Sequence, residues 1–221
     1  MKLDPQVFTF LEQIKQTPTL AWFNAHKSEF QLARDNALEL YQAIEREIAP
    51  LYDFKPLHVY GFRSLKKGPN AIPFKLHFGC NFAFHPPKKH GSLYLQLQPG
   101  GTYLAGGIWS PKPRELFLVR KSIEQESTLV TLLGDPAIST YFDTQIGYQV
   151  KKVPYPFDET HPRADWLRYR QFILQKKYTD KQVLSAQFVA QIKSDFQRML
   201  PFVSYLSEVL NYDENGTPLY E

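Results

Sequence analysis

Pro73-Phe74-Lys75-Leu76-His77-Phe78-Gly79-Cys80-Asn81-Phe82-Ala83-Phe84-His85 is the stretch whose reading decides the fold. Phe74, Leu76, Phe78, Cys80, Phe82 and Phe84 alternate with Lys75, His77, Gly79, Asn81, Ala83 and His85. A period of two places each set on its own face of a strand, so one face is apolar and the other polar and small. Pro86, Pro87 and Gly91 then mark a turn, after which Leu93, Leu95 and Leu97 alternate with Tyr94, Gln96 and Gln98. Pro99-Gly100-Gly101 makes the next turn, and Thr102–Trp109 reads as the next strand, loosened by Gly106-Gly107. Upstream, Leu57, Val59 and Gly61 alternate with His58, Tyr60 and Phe62, an earlier strand that precedes the loop Lys66-Lys67-Gly68-Pro69-Asn70. Consecutive strands joined by such short turns form an antiparallel meander.

On both sides of the meander the period is helical. Asp4 suits a cap and Pro5 a first helical position, and Val7, Phe10, Leu11 and Ile14 follow i, i+3, i+4, i+7 spacing until Thr17-Pro18. From Leu20 to Ile48 the stripe Phe30, Ala33, Ala37, Leu40, Tyr41, Ile44 and Ile48 predicts one long helix, closed by Pro50. After Ser110, Pro111 and Pro113 fit a helix start and Leu116, Val119 and Ile123 line one face; Gly134-Asp135-Pro136 breaks a second, short helix. Strands are expected over Gln145–Val153 and Gln171–Lys176. Lys181–Leu210 reads as helix split near Ser185, and the polar tail from Asp213 is expected to fray. The expectation is a single α+β domain, an antiparallel sheet packed against several helices. Residues 1–50 supply N-terminal helices, 55–110 the meander, 111–212 helices with one or two further strands, and 213–221 a tail.

Composition narrows the function classes. The 221 residues are 43% hydrophobic and 22% charged, a globular mix that argues against disorder or a fibre. No apolar run is long enough for a bilayer span, and MKLDPQVFTF lacks the uninterrupted apolar stretch of a secretory signal. A lone Cys80 excludes an internal disulfide framework and a CxxC site, so the expected setting is the reducing cytoplasm. The net charge of +4 is mild. No Gly-rich phosphate loop opens a helix and no HExxH occurs, so neither a cofactor nor a metal is expected.

Several segments resemble a bacterial and fungal family classed as a domain of unknown function. They are Trp22-Phe23 with Lys27, Pro73-Phe74-Lys75-Leu76-His77-Phe78-Gly79 and Tyr94-Leu95-Gln96-Leu97-Gln98-Pro99-Gly100. Gly106-Gly107-Ile108-Trp109-Ser110-Pro111, Val153-Pro154 with Phe157-Asp158, His161-Pro162 and Tyr178–Leu184 continue the series in the same order, over nearly the whole chain. His26 stands where the family usually has Asn, and Gly61–Asn70 lacks the aspartates usual between the first strand and Pro73. Any family chemistry resting on those acids would be lost here. The resemblance implies a fold and carries no reaction.

Candidate site residues follow from the faces. Lys75, His77 and Asn81 share the polar face of the patterned strand, with Gln96 and Gln98 on the next and Arg63 before the first loop. With Gly106 and Gly107 as a place for close backbone approach and Trp109 as an apolar wall, these residues would make a shallow basic cleft for an anionic small molecule or acidic group. His77 is the natural acid or base if chemistry occurs there, and Asp158 with His161 is a second weak catalytic candidate, in a loop that continues to Asp165, Arg168 and Arg170. Whether the chain is an enzyme is left open, as is its oligomeric state. The alternative is a non-catalytic interaction module meeting a partner protein or nucleic acid through basic loop tips (Lys66-Lys67, Lys88-Lys89, Lys112 with Arg114) and exposed aromatics. Interspersed acids and the lack of a recognition signature disfavour nucleic acid.

Overall fold

The computed structural model describes residues 1–64, 68, 71–85, 89–144 and 146–220. In chain order it has α1 (Pro5–Gln16), α2 (Leu20–Ala25), α3 (Lys27–Ile48), β1 (His58–Val59), β2 (Phe78–Ala83), β3 (Ser92–Leu97) and β4 (Thr102–Ile108). Then come α4 (Pro113–Gln125), α5 (Thr128–Gly134), α6 (Pro136–Ser139), α7 (Ala164–Leu167), β5 (Phe172–Tyr178), α8 (Asp180–Val183) and α9 (Phe188–Val209). The strands form one open antiparallel sheet in the order β1-β2-β3-β4-β5. The fold is α+β, as the pattern predicts. Among the described residues, no helix is long and apolar enough to cross a membrane.

The chain divides into two compact units. The first comprises Met1–Phe82, Tyr94–Leu104 and Lys177–Ser194, the second Ala83–Leu93, Ala105–Lys176 and Asp195–Glu221. In the first unit Asp4 caps α1 by accepting from the Gln6 N–H, and Pro5 opens it. Val7, Leu11 and Ile14 are fully buried or nearly so, as are Ala37, Leu40 and Ile44 of α3. A cluster of phenylalanines completes this core, with Phe23 and Phe74 rings 4.6 Å apart and Phe62 and Phe78 5.3 Å apart. The long helix expected over Leu20–Ile48 is two helices. His26 sits between them at φ −112°, ψ 27°, its Nδ1 2.8 Å from the Trp22 carbonyl and its ring stacked 3.9 Å from Trp22. An apolar stripe sustained through the break hides it from periodicity.

In the second unit α4 buries Leu118, Val119 and Ile123, and Met199 and Val203 of α9 pack beneath β4. Asp195 is fully buried, 2.7 Å from the Lys176 ammonium and 3.7 Å from Arg198. The strand expected over Gln145–Val153 does not form among its described residues; Gln145 lies outside them. Residues 146–150 instead run irregularly beside 168–173, joined by Ile173 N–H to Ile146 O (3.1 Å), Arg170 N–H to Tyr148 O (3.0 Å) and a single bridge, Gln149 to Tyr169. Gly147, at φ 140° and packed against Gln171, prevents a regular ladder. Nor does the tail fray through its described length. Asp213 accepts from the Asn215 and Thr217 N–H groups, and the Leu219 N–H donates to Asn211 O at 2.7 Å.

The patterned strand keeps its predicted faces on either side of residues 76–79, where Leu76 is half-buried and Gly79 buried, but it does not keep its length. Phe74, Phe78, Cys80, Phe82 and Phe84 are buried, while Lys75, His77, Asn81 and Ala83 are half-buried. Regular pairing with β1 covers His58 to Asn81 and Val59 to Cys80, continued by the Tyr60 N–H to Gly79 O bond. It resumes where the Lys75 N–H donates to Phe62 O at 2.7 Å and Arg63 bridges Phe74. Between these points Gly61 alone faces Leu76, His77 and Phe78, so the longer side bulges.

Candidate functional site

The bulge shapes the polar face of the first unit's sheet. It lifts His77 out of the ladder, while the backbone bond from Lys75 to Phe62 fixes the residue beside it. The Lys75 ammonium lies over the Tyr60 ring, 5.2 Å from its centre. Burial, and then the nearby Lys75 charge, hold the His77 imidazole below its ordinary pKa. His77 is therefore neutral at pH 7. Among the described residues, no carboxylate pairs with Arg63, Lys75 or His77.

Three tyrosines extend this face. Tyr60 meets Tyr94 edge-on at 5.9 Å, and Tyr94 lies 5.7 Å from Tyr103. The Tyr94 ring covers Gly79, where a side chain would strike its hydroxyl. Burial first, and then Tyr103 beside it, push the Tyr94 phenol well above its usual range, so it is a protonated donor at neutral pH. Its hydroxyl donates to Gln96 Oε1 at 3.4 Å, and the Gln96 amide donates to Gln98 Oε1 at 2.9 Å. The sequence reading selects Gln96 from this side of the strand and passes over Tyr94 and the row it belongs to. Its shared parity with Gln96 and Gln98 was the signal.

The predicted residues separate. Lys75 and His77 come together, and Arg63, exposed, bridges the adjoining Phe74 through its backbone. Gln96 belongs to the same unit, its amide engaged with Gln98. Gly106, Gly107 and Trp109 belong to the second unit. The space beside Gly106 is filled by Met199 and Leu93, and that beside Gly107 by the Phe172 backbone. Their missing side chains serve packing, and Trp109 is 56% exposed. Asp158 and His161 form no side-chain dyad. Both Asp158 oxygens accept from Thr160, which lowers the carboxyl's pKa, and His161 Nδ1 accepts the Arg163 N–H at 3.1 Å. Both side chains close local turns two residues on. Cys80 is buried beneath the sheet, its thiol pushed up to about 12 by burial first. Lys66, Lys67 and Lys88 lie outside the described residues.

Cavities lined by described residues lie elsewhere. One of about 480 Å³ in the second unit is bordered by Ser122, Glu126, Tyr205 and Asp213, and one of about 520 Å³ in the first by Asp4, Phe10, Glu29 and Asn36. Among the described residues no group of His, Cys, Asp and Glu is arranged to hold a metal ion.

No curated protein and no solved structure gives a significant match to the chain. The model of one family, described as conserved hypothetical proteins, matches residues 6–205, and it takes in the bulged strand and the tyrosine row. The chain belongs to that family, DUF2461.

Proposed function

We propose that the polar face of the first unit's sheet binds an anionic small molecule, with Lys75 as the principal cation and Arg63 as a second. The observation that carries this reading is the Lys75 ammonium held over Tyr60 beside His77, with no carboxylate paired to it among the described residues. A cation fixed by an aromatic face keeps its charge available for a phosphate or carboxylate. Tyr60, Tyr94 and Tyr103 offer ring faces and hydroxyls to the rest of the ligand. The edges of the Gln96 and Gln98 amides limit it on the far side.

A thermal-shift and calorimetric screen of phosphorylated and carboxylate metabolites tests the reading. Binding at a hundredfold excess over Kd raises stability by about 2.7 kcal/mol. The shift should disappear in Lys75→Ala, shrink in Arg63→Ala and survive in Lys15→Ala, which alters an exposed position on α1. Equal shifts from neutral and anionic compounds would overturn it, and would favour the interaction-module alternative.

A further inference from the structure

We propose that Arg120 and Arg170, in the second unit, form a separate oxyanion site that takes a phosphate monoester. Arg120 sits on α4 next to the fully buried Val119 and is itself only 7% exposed. Its Nη2 donates to the Tyr169 carbonyl at 3.0 Å, and its Nε has no hydrogen-bond partner. A guanidinium does not escape burial by losing its proton at physiological pH, so one placed here without a carboxylate is unfavourable as it stands. The carbonyl it holds is one peptide from Arg170.

Arg170 is exposed, and its guanidinium rests over the Tyr148 ring, 5.7 Å from the centre. Among the described residues no carboxylate pairs with either arginine. Burial first, and then the charge of Arg170, pull Arg120 below its ordinary pKa, as expected of neighbouring cations. Of the nearby acids, Asp165 pairs with Arg168. Asp143 and Asp165 act through their charge on the Tyr169 phenol, which burial first and then these carboxylates push up.

The backbone holds the pair in place. Arg170 N–H to Tyr148 O (3.0 Å) and Val150 N–H to Arg168 O (2.9 Å) clamp the Tyr169-Arg170 backbone, so only the Arg170 side chain is left to order on binding. A purely structural Arg120, tying α4 to Tyr169, accounts for Nη2 but leaves Nε without a partner. A phosphate monoester carries nearly two negative charges at pH 7, matching two guanidiniums, and its oxygens accept from their forks. Exposed Tyr148 would flank the esterified group.

The test is a titration of the 221-residue chain with inorganic phosphate at constant ionic strength, following arginine Nε–H signals by nitrogen–proton NMR. Arg120 and Arg170 should shift together and saturate. Arg170→Ala should weaken binding at least tenfold, whereas Lys75→Ala should leave these two shifts unchanged, which separates this site from the sheet face. Arg120→Lys, which keeps charge but not the fork, should weaken binding as well. If Arg120 variants do not fold, exposed Arg170 decides the matter alone. Shifts that never saturate, or that persist unaltered in Arg170→Ala, overturn the proposal.

Discussion

The Tyr94 hydroxyl occupies the space that a side chain on Gly79 would need: a β-carbon built there lies 2.5 Å from it and 3.1 Å from the ring. Gly79→Ala must push a ring that has only two rotatable bonds and neighbours on both sides. Overpacking of this kind costs about 1–3 kcal/mol. Chemical denaturation should show the loss, and Tyr94→Phe in the same chain should recover part of it. Additive losses in the double variant would mean that the two residues do not meet.

The two faces of the patterned strand should respond unequally. Phe78 is 3% exposed and packs on Phe62, so Phe78→Ala should cost about 3–5 kcal/mol. Lys75 contributes only its contact with Tyr60, and Lys75→Ala should cost about 0.5 kcal/mol or less. Urea midpoints compared at equal slope decide the assignment of faces.

Acidification should weaken the fold through His77. Burial and Lys75 hold its folded pKa below the unfolded value, so its contribution is intact above the ordinary imidazole range. As pH falls the unfolded chain takes up the proton first, and stability declines. The slope of unfolding free energy between pH 7.5 and 5.5 should be shallower in His77→Gln. Anion binding should move the opposite way, strengthening as His77 gains charge.

Breaking the buried pair in the second unit should be costly from either side. Asp195 has no exposure and lies 2.7 Å from the Lys176 ammonium. Removing one partner of such a pair typically costs about 3–5 kcal/mol, and Arg198, 3.7 Å from Asp195, should hold the Lys176→Met loss toward the lower end. Asp195→Leu and Lys176→Met should each fall in that range, while the double variant should lie closer to wild type. Thermal melts of the three proteins, analysed as a double-mutant cycle, measure the coupling.

What the sequence makes legible depends on how local the cause is. Alternation in Phe74–Phe84 is enough to assign most of the faces, because burial follows side-chain parity from Cys80 to Phe84 and fails only where the bulge puts Leu76 half-buried and Gly79 buried. The bulge itself is not legible, since it depends on how many residues of the other arm, here Gly61 alone, oppose it. His26 breaks a helix without interrupting its apolar stripe, and Gly147 spoils a strand through a contact with Gln171, far along the chain. The site divides in the same way. Lys75 and His77 come from one strand and are readable together. Arg120 looks like the solvated side of an amphipathic helix until the Tyr169 carbonyl is placed against it.

The interleaving of the two units bears on how the chain is made. The first unit needs Lys177–Ser194 before its parts are all present, and the second needs everything to the C-terminus. During synthesis α1 and α3 therefore emerge long before the segment that completes their unit, and their apolar stripes wait. Nascent chains arrested before residue 177 should be bound by chaperones and cut readily by proteases. A stop after Ser194 includes all of the first unit but also Ala83–Leu93 and Ala105–Lys176 of the second, so expressing either unit alone requires splicing segments rather than truncating.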